Sequence, residues 1–125
     1  FTTLLENELL DHVFRNAAYT PPATVYIGLY TSATDGAGGG TEVTGGSYTR
    51  KAMAFDAAAS SAIDNTAAVE FPTATANWGT VTHNAVLDAA TGGNMLAETA
   101  LTASKVISTG DVFRFQAGEF DIALS

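Results

Sequence analysis

The sequence changes rhythm once, and that change limits the folds open to it. Up to Ala18 apolar residues return every four positions; beyond Pro21-Pro22 they return every two. Leu5, Leu9, Val13 and Ala17 form the first stripe, widened by Leu10 and Phe14, which predicts a helix from Thr3 to about Ala18. Thr3-Leu4-Leu5-Glu6 has the form of a capping box, and Glu6 and Glu8 near the start with Arg15 near the end suit the helix dipole. Pro21 disfavours the helical region at Thr20 and neither proline offers an amide hydrogen, so the helix is expected to stop there. No basic stretch leads into a uniformly apolar run, so this start does not read as a signal peptide.

The period-two runs after the prolines are short and punctuated by Gly, Pro, Asn and Asp. Thr24–Thr31 alternates most cleanly, with Val25, Ile27 and Leu29 facing one way and Tyr26, Gly28 and Tyr30 the other. Further strands are expected at Tyr48–Phe55, Ala67–Phe71, Thr80–Asp88, Met95–Glu98, Leu101–Ile107, Val112–Phe115 and Glu119–Leu124. Ser32–Ser47 reads as a long Gly-rich connection, Asp56–Thr66 as a loop or short helix, and Ala89–Asn94 as a hairpin turn. No helical stretch separates two strands as a βαβ unit requires, and no repeat is visible. The pattern predicts a mainly β chain: an N-terminal helix followed by a seven- or eight-stranded antiparallel β-sandwich or jelly-roll-like barrel. Residues 1–125 are read as one domain, with the helix in 1–18 and the β part in 23–125.

Charge excludes several functions. Only 14% of residues are charged, and 13 acids against 5 bases leave a net charge of −8, a poor balance for nucleic acid or anionic membrane. No apolar run approaches the roughly 18 residues of a membrane span. The absence of cysteine removes disulfides, thiolate zinc sites and a thiol nucleophile. With 23 alanines and 18 threonines, much of the surface must be small and uncharged, which loses little side-chain entropy when neighbours pack on it.

No catalytic set emerges. His12 and His83 stand apart, no Gly-x-Ser-x-Gly elbow is present, and the acids are scattered singly through turns, where Asp bonds its own backbone. Asp35-Gly36-Ala37-Gly38 with Glu42 resembles a calcium loop only loosely, because the EF-hand order of oxygen ligands is missing. The glycine run lacks the Gly-Lys-Ser/Thr ending of a phosphate loop. No cofactor and no metal are therefore expected. Tyr26, Tyr48 and Trp78 are the candidates for a ligand-facing aromatic surface, weighed against packing in the core or at a subunit contact.

The order of motifs resembles a family of small tailed-phage virion proteins, commonly labelled tail fibre or minor tail proteins. The resemblance runs through Leu9–Asn16, Tyr19–Ser32, Gly40–Val43, Gly45–Arg50, Asn77–His83, Asp88–Asn94 and Gly110–Phe115, and so spans nearly the whole chain. It implies a structural protein on the exterior of the phage particle, assembled in the host cytoplasm, with capsid or tail subunits as partners and a homo-oligomeric state such as a trimer. Capsid decoration and a fibre-type place on the tail both fit that expectation. Leu5, Leu9, Leu10 and Phe14 on the helix, with Arg50 and Lys51, are the expected assembly contacts. A receptor- or glycan-binding module is the alternative, and a polysaccharide hydrolase ranks below both for want of an acid/base pair.

Overall fold

The computed structural model describes residues 1–35, 37 and 39–124. It contains α1 (Thr3–Phe14) and eight strands: β1 (Val25–Tyr30), β2 (Lys51–Met53), β3 (Ala62–Asp64), β4 (Val69–Glu70), β5 (Gly79–Leu87), β6 (Met95–Ile107), β7 (Arg114–Phe115) and β8 (Asp121–Ala123). Four strands form one antiparallel sheet in the order β2-β1-β5-β6, and two smaller antiparallel ladders pair β3 with β8 and β4 with β7. The fold is mainly β and of sandwich type. The jelly-roll-like barrel is not formed: no sheet closes on itself among the described residues.

The sandwich is held by one core. Ile27 and Leu29 from β1, Val81 and Val86 from β5, and Leu96 and Ile107 from β6 meet Val69, Phe71, Phe113, Phe115 and Phe120 from the smaller ladders and their flanks. Aromatic contacts run through this core without a gap. Trp78 meets Tyr48 edge-on at 5.4 Å, Tyr48 stacks on Phe71 at 6.2 Å, and the series continues through Phe113, Phe115 and Phe120 to Phe55. Such pairs add to plain burial because ring edges are positive and faces negative. The second face of β1 is buried too: Tyr30 joins Ala85, Leu87 and Met95 in a smaller cluster.

The elements differ from the sequence expectation at several points, each with a local cause. The N-cap is Thr2 and not Thr3; its hydroxyl accepts from the Leu5 amide and donates to the Met95 carbonyl at 2.7 Å, so a contact across the fold selects the earlier threonine. The helix ends at Phe14, before the prolines, because Asn16 adopts a left-handed conformation with φ 55°. Asp56–Thr66 is neither loop throughout nor helix, since it holds β3, entered by a tight Ala59–Ala62 turn with Ser60 and Ser61 both at positive φ. The two strands expected at Met95–Glu98 and Leu101–Ile107 are one strand, β6, which carries a bulge. While β5 advances from Val81 to His83, β6 runs from Lys105 to Ala100, and the surplus residues bow outward.

Candidate functional site

Helix α1 is tied to the sandwich at its start. The Thr2 amide donates to the Leu96 carbonyl at 3.0 Å beside the hydroxyl bond to Met95, so the helix begins on the free edge of β6. Leu5 and Leu9, one turn apart, form the half-buried row, and Leu5 packs against the core. On the other sides of the helix Leu10 is 56% exposed, Val13 65% and Phe14 78%, and no residue of α1 is fully buried. Near the root of the helix lies a groove of about 340 Å³, lined by apolar side chains that include Phe1, Leu5, Val25, Phe55, Leu96 and Ile122. Helix and groove together form an apolar surface in a chain that carries eight net negative charges.

Arg50 and Lys51 do not share that surface. The Arg50 side chain is only 9% exposed and turns inward. Its Nε and Nη2 each donate to a Glu42 carboxylate oxygen at 2.8 Å, and its Nη1 donates to the carbonyls of Ala89 at 2.8 Å and Gly92 at 2.9 Å. The Tyr48 hydroxyl completes the cluster, donating to Glu42 Oε2 at 2.6 Å and accepting from the Leu29 amide at 3.0 Å. The cluster therefore fastens the long Gly-rich connection to β1 and to the β5–β6 turn. Arg50, expected to meet a neighbouring subunit, has its guanidinium occupied within the chain. Lys51 is half-buried on β2 opposite Ile27.

The electrostatics follow this geometry. Burial raises the Glu42 carboxyl, but the hydrogen bonds from Arg50 and Tyr48 outweigh it and hold Glu42 below its ordinary range. Burial, and then the bond to Glu42, push the Tyr48 phenol far above its usual value. Gly28 sits under the cluster: a Cβ there would stand 3.0 Å from Leu87 Cδ1 and 3.1 Å from Glu42 Oε2, so a larger residue would crowd both side chains.

Two of the three candidate aromatics, Trp78 and Tyr48, pack within the fold. Trp78 is buried, and its indole N–H donates to the Gly46 carbonyl at 2.9 Å. Tyr48 has its hydroxyl bonded and its ring between Phe71 and Trp78. Each packs its ring against the core and ties a loop with its polar end. Tyr26 is half-buried on β1, in register with Ala52 on one side and Leu87 on the other.

The two histidines are far apart in the chain and each bonds a near neighbour. His12 Nδ1 accepts from the Tyr19 amide at 3.2 Å, and His83 Nδ1 lies 2.8 Å from the Thr82 hydroxyl. Asp88 accepts from the Asn94 amide at 2.7 Å and closes the β5–β6 turn. In the loosely calcium-like loop, Gly36 and Gly38 lie outside the described residues. Asp35 Oδ1 accepts from the amides of Ala37 and Gly39, while Glu42 faces Arg50 and Tyr48, so the two acids serve different partners. Among the described residues no group of three or more His, Cys, Asp or Glu is placed to hold a metal ion, and no helix is long and apolar enough to cross a membrane.

Fold and surface together define a small mainly β protein that carries an N-terminal helix with an uncovered apolar side. The family model described as the podophage GP4 fiber I protein gp80 matches residues 1–123, and the chain belongs to that family. It is thus a structural component of the phage virion, of fibre type, with other virion components as its partners and the exterior of the particle as its place. The tail-fibre-type resemblance carried by the motifs is confirmed at that level. No curated protein matches the chain.

Proposed function

We propose that this protein is a non-catalytic subunit of the virion surface, and that it attaches to capsid or tail subunits through α1. The observation that carries this reading is the exposed row of Leu10, Val13 and Phe14 on a helix whose other side already covers its own sandwich. Large apolar side chains grouped on a helix and left in water mark a contact surface. The reading places the protein in a homo-oligomer, a trimer where it meets a threefold axis, assembled on the particle in the host cytoplasm.

Phages carrying Leu10→Glu with Phe14→Glu test it. Both side chains are exposed, so the purified variant should keep the melting temperature of the parent, while its occupancy on purified particles falls at least tenfold. Full occupancy with a folded variant would remove α1 as the attachment element. Counting copies per purified particle then separates a decorating role on the capsid from a place on the tail.

A further inference from the structure

β3 and β8 carry the same three residues in opposite order, Ala-Ile-Asp and Asp-Ile-Ala. Their antiparallel register therefore sets Ala62 against Ala123, Ile63 against Ile122 and Asp64 against Asp121. The isoleucines line the apolar groove beside α1, together with Leu124 just beyond β8. The aspartates are exposed and stand opposite each other. Two like charges directly opposite on paired strands work against the pairing.

Little else holds β8 in place. Among the described residues no strand besides β3 pairs with it, and a two-stranded ladder is weak by itself. One end is firm: Phe120 is buried, its amide donates to Asn65 Oδ1 at 2.8 Å, and its carbonyl accepts from the Asn65 amide at 3.2 Å. The other end hangs on the Leu124 amide, which donates to the Ser61 carbonyl at 2.8 Å. Ser60 and Ser61 stand at φ 52° and 66°, a conformation that is costly for a residue with a Cβ, so this anchor is strained. The strand can hinge at Phe120 and lift at Leu124.

The surrounding charges decide when it lifts. Asp56, whose amide donates to the Asp64 carbonyl at 3.0 Å, adds a third acid. Lys105, Arg114 and Glu119 border a cleft that Asp121 also lines, and among the described residues no base makes an ion pair with either aspartate. A single proton held between the two carboxyls turns repulsion into a hydrogen bond. That bond, ahead of desolvation and the charges of Asp121 and Asp56, raises Asp64 above the ordinary carboxyl range. The pairing is therefore strongest at low pH and weakens as pH climbs through the raised range. We propose that β8 is a pH-sensitive latch on the apolar groove beside α1, closed while Asp64 and Asp121 share a proton and released at its Leu124 end when both are charged. Release takes Ile122 and Leu124 off the groove and leaves Ile63 uncovered. The latch works whichever subunit α1 meets.

The test is amide hydrogen exchange of the full 15N-labelled chain between about pH 4 and pH 7, each rate being compared with its intrinsic value at that pH. Protection of the Leu124 amide should fall about fivefold as pH rises, the size of an unfavourable cross-strand pair, while the amides of β5 keep theirs. Nile red, a neutral dye that brightens on apolar surface, should gain fluorescence over the same range. Asp121→Asn, at an exposed position, should abolish both changes and keep the latch closed at neutral pH. The chain has no cysteine, so Ala62→Cys with Ala123→Cys gives a single disulfide across the ladder. Its oxidised form should stay closed and its reduced form should respond as the parent does, which decides the matter if the Asp121 variant does not fold. Equal protection of Leu124 at both ends of the range, a loss that β5 shares in full, dye emission that does not rise, or an unaltered response in a folded Asp121 variant or in the oxidised pair would overturn the proposal.

Discussion

Two asparagines buried to a similar depth have opposite relations to their surroundings. Asn65 spends its whole side chain: Nδ2 donates to the carbonyls of Ala67 and Gln116 at 2.8 Å each, and Oδ1 accepts from the Phe120 amide at 2.8 Å. It thereby ties the end of β3 to the turn that leads into β8. Asn84 Oδ1 has no such partner. Asn65→Leu should cost about 3 kcal/mol in urea unfolding, because it strands several backbone groups in the core. Asn84→Val should stay within about 0.5 kcal/mol of the parent or gain stability, since no bond at its oxygen is lost. Neither residue stood out in the sequence. Asparagine by its type signals a turn, and only contacts between distant segments reveal a buried hub or an unpaired amide.

At the scale of elements, the legible parts were those whose signal lies in adjacent residues. β1 announced itself by alternation, and the β5–β6 turn by Thr91-Gly92-Gly93-Asn94. β3 was hidden because its entry turn lacks the usual residues. Ser60 and Ser61 sit at φ 52° and 66°, where Asn-Gly is the common pair. Ser60→Asn with Ser61→Gly should therefore raise stability by about 1 kcal/mol, read as a higher denaturation midpoint with an unchanged slope. In the sequence β6 looks like two strands because its bulge breaks the alternation, which is an effect of pairing with β5 and not of its own residues. The apolar rows of α1 were visible in the sequence, but which of them the sandwich covers was not. The partners of Arg50 within the chain are hidden in the sequence for a related reason: Glu42, Tyr48, Ala89 and Gly92 come together around it only in the folded chain.

For the molecule as a whole, two carboxylates pull its acid response in opposite directions. The hydrogen bond to its cross-strand partner Asp121, more than desolvation or the charge of Asp56, raises Asp64 above its ordinary range. A raised carboxyl contributes stability at low pH and loses it as pH climbs through the folded-state value. Glu42 is lowered, so its contribution is present at neutral pH and fades as pH falls through the folded-state value. Thermal melts across pH should thus show greatest stability on the acid side of neutrality, helped by relief of the −8 charge. Asp64→Asn should flatten the rise from neutral pH, and Glu42→Gln should flatten the fall at lower pH. The aromatic series described above has a consequence of another kind. Its terminal ring, Trp78, is the chain's only tryptophan and is bonded to Gly46 in the long connection. The protein thus carries a single optical gauge, whose emission colour follows the wetting of one ring and reports release of that connection apart from the melting of the strands.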